Sequence, residues 1–439
     1  MWRNWAGDQR CEPAVVQRPA TVGEVTDAVG RAVAAGRCVR VAGSGHSFTG
    51  AALTDGTLVS LQRMGALLDA DAASGLVRVQ AGMTIRALND ALAEHGLALP
   101  NLGDIDAQSI AGAIATATHG TGVTLRNLSA QVRALQLVTA SADVVEIDAG
   151  DDLLAARVAL GTLGVVTELT LEVVPAFTLR GVDAPAPLAA VLDELDARVD
   201  AHRHFEFFVF PHADTALTRT NDLVDEAARP RAATRAYVDD VLLANRAFQL
   251  ACAIGRAAPA AIPSLNRLVT RLAGSSTRLD RSDRIFATPR LVRFTEMEYA
   301  LPRPVAATAM RAIKATAERF AINFPIEVRF VAGDDALLSP AHERETVYIA
   351  VHAYKGMAWE PYFRAVEAIA DEHGGRPHWG KRHFQTAETL APRYPGWERF
   401  AAVRARFDPE GVFSNAYTDR VLGAVGSPRA VGGAAVPGH

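Results

Sequence analysis

The most constraining feature of this sequence is a run from Ser109 to Thr118, Ser-Ile-Ala-Gly-Ala-Ile-Ala-Thr-Ala-Thr, which continues into His119-Gly-Thr-Gly122. Nearly every side chain in it is small. A tightly packed helix is one use for such a run, but that reading leaves the hydroxyls and the last glycines without a purpose. Close approach of the backbone to a large, flat ligand explains both, because Ser and Thr hydroxyls can bond to phosphates or ring atoms. A second glycine-containing turn, Gly43-Ser44-Gly45-His46-Ser47, follows the short strand signal Val39-Arg40-Val41 directly. Glycine there lets successive backbone N–H groups turn inward and cradle a diphosphate. The turn lacks the full G-x-G-x-x-G pattern and the lysine of a P-loop, so alone it reads equally as a tight turn.

Around these segments the first third alternates strand and helix signals. Thr21 and Glu24 fit a capping box. Val22, Val25, Val29 and Val33 follow at helical spacing, and Gly36 ends the helix. Strands are expected at 76–80, 132–138, 144–147 and 165–173, and a helix from Thr84 to Gly96. The composition changes after Pro175. The aromatic segment 204–210 reads as a buried strand or the wall of a site. Strands at 292–298, 325–331 and 346–353, with helices at 304–320 and 358–372, give an α+β order and a mixed sheet with helices on one face. The Ala/Arg-rich part, 226–260, reads as an inserted helical segment. The expected division is 1–176, 177–385, a C-terminal segment 386–422 that returns to the first unit, and a disordered tail 423–439.

Composition excludes several classes. Forty-five basic and 49 acidic residues give a net charge of −4, so no overall basic field favours nucleic acid. Cys11, Cys38 and Cys252 are three, far apart and not in C-x-x-C spacing, which argues against a disulfide framework or a zinc site and for a reducing compartment. The N-terminus has no signal-peptide core, and charges interrupt the apolar stretches before the roughly 18 residues needed to span a bilayer. The expectation is a cytoplasmic protein, or one peripheral at the membrane.

Glu327-Val-Arg329 lies on an expected strand, so its two charges share a face. A surface ion pair would have the same spacing. His378 and His383 could suggest a metal, but no motif places a third ligand, and none is expected.

The segments Gly43–Phe48 and Ser109–Gly122 resemble the two flavin-binding signatures of the vanillyl-alcohol-oxidase superfamily. Together with Arg376-Pro-His-Trp-Gly-Lys-Arg-His383 and Phe407-Asp-Pro-Glu-Gly-Val-Phe413, they make the chain similar to the sugar-1,4-lactone oxidases and dehydrogenases from Asn4 to about Leu422. The resemblance implies a two-subdomain FAD-binding domain and a substrate-binding cap domain. It places FAD against Ala42, Gly43, Ser44, Gly45, His46 and Ser47, against Gly103, Ser109, Gly112, Thr116, Thr118, His119, Gly120 and Gly122, and against Gly164 and Val165 at the adenine end. It implies a covalent bond from His46 to the flavin. It assigns catalysis to Glu327, Arg329 and Lys381, and substrate contacts to these residues with Ser109, His352, Tyr354 and His378. The implied reaction is hydride transfer from a hydroxyl-bearing carbon of a sugar lactone, or of an alditol, with O2, a cytochrome or a quinone as the final acceptor. A flavin-containing binding protein without turnover is the rival from another class. The resemblance also makes Gly103 the position that governs access of oxygen to the flavin, and Tyr354 a residue favouring a lactone ring over an open chain.

Overall fold

The computed structural model describes residues 1–288 and 290–425. The expected tail falls outside the described residues from 426 onward.

The helix Val22–Ala34 starts as its sequence predicts. The Thr21 hydroxyl accepts the Glu24 N–H, and the Glu24 carboxylate accepts the Ala20 N–H. Its buried face, Val25, Val29 and Ala32, packs with Val39 and Val59. These come from a three-stranded parallel sheet in which Thr57–Val59 lies between Val15–Gln17 and Val39–Val41. A second, antiparallel sheet runs in the order Val144–Ile147, Val132–Val138, Val165–Glu172, Leu76–Gln80, Leu67–Asp71. The helix Ile85–Glu94, capped by Thr84, buries Ile85, Leu88 and Leu92 in the same core as Val77, Leu135 and Leu169. These two sheets correspond to the two subdomains that the resemblance implies.

The larger sheet has eight strands, in the order Ser276–Arg281, Thr178–Pro187, Thr215–Val224, His204–Val209, Ile326–Val331, Thr346–Tyr354, Phe294–Pro302, Arg376–Pro377. The sequence suggests a mixed sheet, but every pairing in it is antiparallel. The reason lies in the helix Ala306–Ala317. It carries the chain from Phe294–Pro302 to Ile326–Val331, two strands that run parallel but are separated by the antiparallel Thr346–Tyr354. Helices Ala306–Ala317 and Glu360–Glu372 cover the face that buries Val328, Ile349 and Met297. The opposite face carries the polar residues of the site.

The C-terminal residues Leu390, Tyr394, Phe400, Val403 and Val421 join the core of Val77 and Leu135. The buried guanidinium of Arg40 fixes this return: it donates to the Leu160 carbonyl at 2.7 Å and to the carbonyls of Ala51 and Phe413. Asn415 adds bonds to the Gly50 carbonyl at 2.9 Å and the Leu53 carbonyl at 2.8 Å. The Ala/Arg-rich segment is helical as expected, from Tyr237 through Ala257 and again over Ile262–Leu272.

Candidate active site

The strand Val39–Val41 delivers the loop 42–47 to the Ser109 end of the small-residue helix Ile110–Ala115. The fit is close: a Cβ on Gly43 would lie 2.2 Å from the Ser109 Oγ, so that hydroxyl would have to turn away. The loop is also tied to the His378–Lys381 turn. The Phe48 N–H donates to the Gly380 carbonyl at 2.8 Å, and the Ser47 hydroxyl to the same oxygen at 3.2 Å. Trp379, fully buried, anchors that turn by donating its indole N–H to the Leu338 carbonyl at 2.6 Å. His378 and Lys381 thereby face one cavity of about 560 Å³.

This cavity brings together most of the residues the sequence singles out. Ala42 to Ser47, Gly103, Ser109, Gly112, Thr116, Thr118, His119 and Gly164 line one part, and Glu327, Arg329, His352, His378 and Lys381 the other. Four expected residues are not in the lining, each for a packing reason. Gly120 is pressed against the Leu102 carbonyl, which a Cβ would approach to 2.2 Å. The Gly122 N–H is used by the Phe330 carbonyl at 2.6 Å, joining this loop to the large sheet. Val165 is fully buried in the core with Val25 and Val138. Tyr354 packs with Phe294 and Phe324, under the Arg256 guanidinium, so it offers no basis for choosing between a ring and an open chain.

The charged end is more crowded than the sequence suggests. Arg329 is buried and held by three carboxylates: Asp104 at 2.7 Å, Glu206 at 2.8 Å and Glu327 at 2.5 Å. Burial pulls its pKa down, but Asp104, Glu327 and Glu206 outweigh burial and raise it well above the usual arginine value. Burial also raises the Glu327 carboxyl, and here Arg329 does not fully compensate. Lys381 meets Glu296 at 2.5 Å, and His352 lies 3.5 Å from the other Glu296 oxygen. Despite burial, Glu296 raises the pKa of both Lys381 and His352. The Glu298 carboxylate accepts from the His119 Nε2 at 3.1 Å. His378 takes the Gly380 N–H on its Nδ1 at 3.0 Å, so it is neutral there; burial lowers its pKa to about 3. His46 stacks beside Trp5, and burial, then Lys381 and Arg293, lower its pKa to about 4.

Asp104, Glu206, Glu296 and Glu298 are absent from the sequence reading. A signal existed for three of them. Glu296-Met-Glu298 is a second pair of charges two apart on a buried strand, like Glu327-Val-Arg329. Glu206 is the one acid within an aromatic strand and stands directly across from Arg329 in the sheet register. Among the described residues, His119, Glu298 and His378 also bring three possible ligand atoms within 4.8 Å of one another. That trio supplies the partner His378 lacks in the sequence. His383 is not in it, because its Nε2 bonds the Tyr417 hydroxyl at 3.0 Å.

A family model described as D-arabinono-1,4-lactone oxidase matches residues 169–421. The chain belongs to this family. A second model, described as an FAD-binding domain, matches residues 13–148. The L-gulono-1,4-lactone dehydrogenase of Mycobacterium tuberculosis is 52% identical over 425 residues, covering 96% of this chain and 99% of that protein. The L-gulonolactone oxidase of Bos taurus is 32% identical over 96% of this chain and 98% of its own length. An alditol oxidase of a Streptomyces species is 33% identical over 95% of this chain and 98% of its length. Among solved structures, a solvent-stable cholesterol oxidase superposes with a TM-score of 0.81 at 18% identity, over 96% of this chain and 97% of that one, a likeness of fold alone. As a member of the lactone oxidase family, the protein is an FAD-dependent oxidoreductase acting on CH–OH groups. The cavity fits that cofactor. At its Gly43–Ser109 wall backbone comes close to the Ser109 hydroxyl, and the Thr118 hydroxyl is buried with no protein partner, ready for a ligand.

Proposed function

We propose that the protein oxidises a hydroxyl of a sugar 1,4-lactone, of the L-gulono, L-galactono or D-arabinono type, and passes the electrons to O2 or to a cytochrome or quinone. The observation that carries this reading is the single cavity in which the 42–47 loop and the 109–119 segment meet Glu327, Arg329 and Lys381. Bound FAD supplies the hydride acceptor. Ala42 to Ser47, Gly103, Ser109, Gly112, Thr116, Thr118, His119 and Gly164 would hold it.

The remaining steps belong to side chains of the cap. Lys381, kept cationic by Glu296, binds and polarises the reacting hydroxyl. Glu327 accepts hydrogen bonds from the neighbouring hydroxyls, with His352 and His378 beside them. Arg329, oriented by its three carboxylates, keeps a fixed positive charge where negative charge develops. His46, neutral at physiological pH, has the free ring lone pair needed for a covalent bond to the cofactor. Residues 1–176 with 386–422 would form the cofactor domain and 177–385 the cap. A cytoplasmic protein, free or peripheral at the membrane, suits this role, and no described helix is long and apolar enough to cross a bilayer.

The likeness to an alditol oxidase supports a second reading, oxidation of an open-chain polyol by the same residues. Anaerobic bleaching of the flavin band separates the two. Reduction by L-gulono-1,4-lactone much faster than by xylitol supports the lactone reading, and the reverse order overturns it.

A further inference from the structure

The helix Ile262–Leu272 is built inside out. Its inward side buries Asn266 and Thr270 beside a single apolar residue, Ile262. The Asn266 amide donates to the carbonyls of Pro211 at 3.0 Å and Ile322 at 3.1 Å. Its outward side carries Leu268 and Leu272, 52% and 75% exposed, with Arg267 and Arg271 exposed beside them. A helix that faces only water does the opposite.

The preceding helical stretch repeats the pattern. Val238, Leu242, Arg246, Leu250 and Ile254 recur at every fourth residue, and all five are exposed. Its other side buries Cys252 and Gly255 and sends Phe248 and Asn245 to the cavity. Charge points to the occupant. The helical stretches 237–257 and 262–272 contain four arginines and two acids, Asp239 and Asp240, both held by Arg231, so the rest of this face is basic in a chain of net −4. Among the described residues, Arg246, Arg256, Arg267 and Arg271 form no ion pair.

We propose that these helices dock on an anionic lipid surface, with Leu250, Leu268 and Leu272 in the headgroup–acyl boundary and the arginines on the headgroups. Amphipathic helices with apolar residues bordered by arginine bind membranes in this way, without spanning them. Docking here would set the wall formed by Phe248 and Asn245, and so the cavity, next to the bilayer.

The test is co-sedimentation of the full-length holoprotein with phosphatidylcholine vesicles, with and without phosphatidylglycerol. Binding to the phosphatidylglycerol vesicles, weakened by salt, is expected. Arg267→Gln/Arg271→Gln should weaken it roughly thirtyfold, since each basic group near an anionic surface contributes roughly fivefold. Leu268→Ser/Leu272→Ser should abolish it, while flavin bleaching by lactone in solution stays unchanged. Leu68→Ser/Val144→Ser, exposed apolar positions elsewhere, should bind as wild type. The inference is overturned if wild type does not sediment with anionic vesicles at low salt, or if the leucine variant binds as wild type does. It is equally overturned if the leucine substitutions dissociate a dimer with no vesicle binding in the parent, which would make the face a contact between copies.

Discussion

Glu296→Gln isolates the part of the site that Lys381 contributes. The substitution keeps the shape of the side chain and removes one charge 2.5 Å from the Lys381 ammonium. In the native protein burial lowers the Lys381 pKa, but Glu296 and Glu298 raise it further, to above its ordinary 10.5. Without the Glu296 charge, burial is opposed only by Glu298 and Glu327, and the value falls. A hydrogen bond between charged partners contributes roughly 1.5–3 kcal/mol, and the hold on the charged lysine weakens by that order. If the charged lysine polarises the reacting hydroxyl, the rate of flavin reduction should fall with rising pH in a limb that tracks Lys381. In Glu296→Gln that limb should lie at lower pH than in wild type. Anaerobic stopped-flow reduction by L-gulono-1,4-lactone measures this, with a rapid pH jump because lactones hydrolyse in base. Glu296→Gln with a native flavin spectrum and a wild-type pH profile would refute the role given to the pair.

Arg329→Lys should slow flavin reduction by about a hundredfold or more, because a point charge cannot serve three carboxylates and the reaction centre together; rapid reduction at the wild-type rate would remove Arg329 from the chemistry. Arg329→Met should in addition destabilise the fold by roughly 3–5 kcal/mol, visible in thermal melts, since Asp104, Glu206 and Glu327 are left facing one another. His46→Ala should release all flavin into the supernatant after acid precipitation, whereas the wild-type pellet stays yellow; a colourless wild-type pellet would exclude the covalent bond while leaving FAD binding intact. Gly103→Ala should slow reoxidation by O2 and lower stability, because its Cβ would lie 2.9 Å from the His119 carbonyl; equal reoxidation rates would show that oxygen does not pass there. Glu296 and Glu298 have carboxyl pKa values lowered below 4.5, burial being outweighed by Lys381 and His119 respectively. The stability they contribute is present above pH 4.5 and lost as pH falls through their folded values, so the melting temperature should drop steeply from pH 4.5 toward 2, and less so in Glu296→Gln.

The cofactor side was legible because its signals are local. Val39 to Ser47 and Ser109 to His119 each work as continuous backbone, so the residues that matter are neighbours in the chain. Helix Val22–Ala34 and strands Leu76–Gln80, Val132–Val138 and Val144–Ile147 were equally plain, since caps and alternation act over a few residues. The short parallel strands Val15–Gln17 and Thr57–Val59 carry no such period, and Thr178–Pro187 contains two prolines that read as loop but sit within a paired strand. On the substrate side, Glu327 and Arg329 were visible as a pair, but their partners were not. Asp104 comes from a loop of the N-terminal part and Glu206 from the adjacent strand, while Glu296, the partner of Lys381, comes from two strands away. Only the folded sheet with that loop against it assembles them.

That assembly also explains how one neutral substrate can be handled by so much charge. Arg290, Arg329 and Lys381 stand against Asp104, Glu206, Glu296, Glu298 and Glu327, so the ions are paired before any ligand arrives. Pairing fixes each side chain in one orientation, and no reorganisation is needed when charge shifts during the reaction. Arg219 joins the same network through Glu206 at 3.3 Å and Asp183 at 2.6 Å, so four lysine and arginine groups face six carboxyls. A neutral lactone or polyol can donate its hydroxyls to those carboxyls. An aldonate, the hydrolysis product of the same lactone, would bring a further negative charge into a buried site that already holds a surplus, which costs several kcal/mol where it finds no free cation. On the proposed reading the carboxyl cluster selects for an uncharged substrate, and the single carboxyl pushed upward among Asp104, Glu296, Glu298 and Glu327 is Glu327, the one beside the expected substrate hydroxyls.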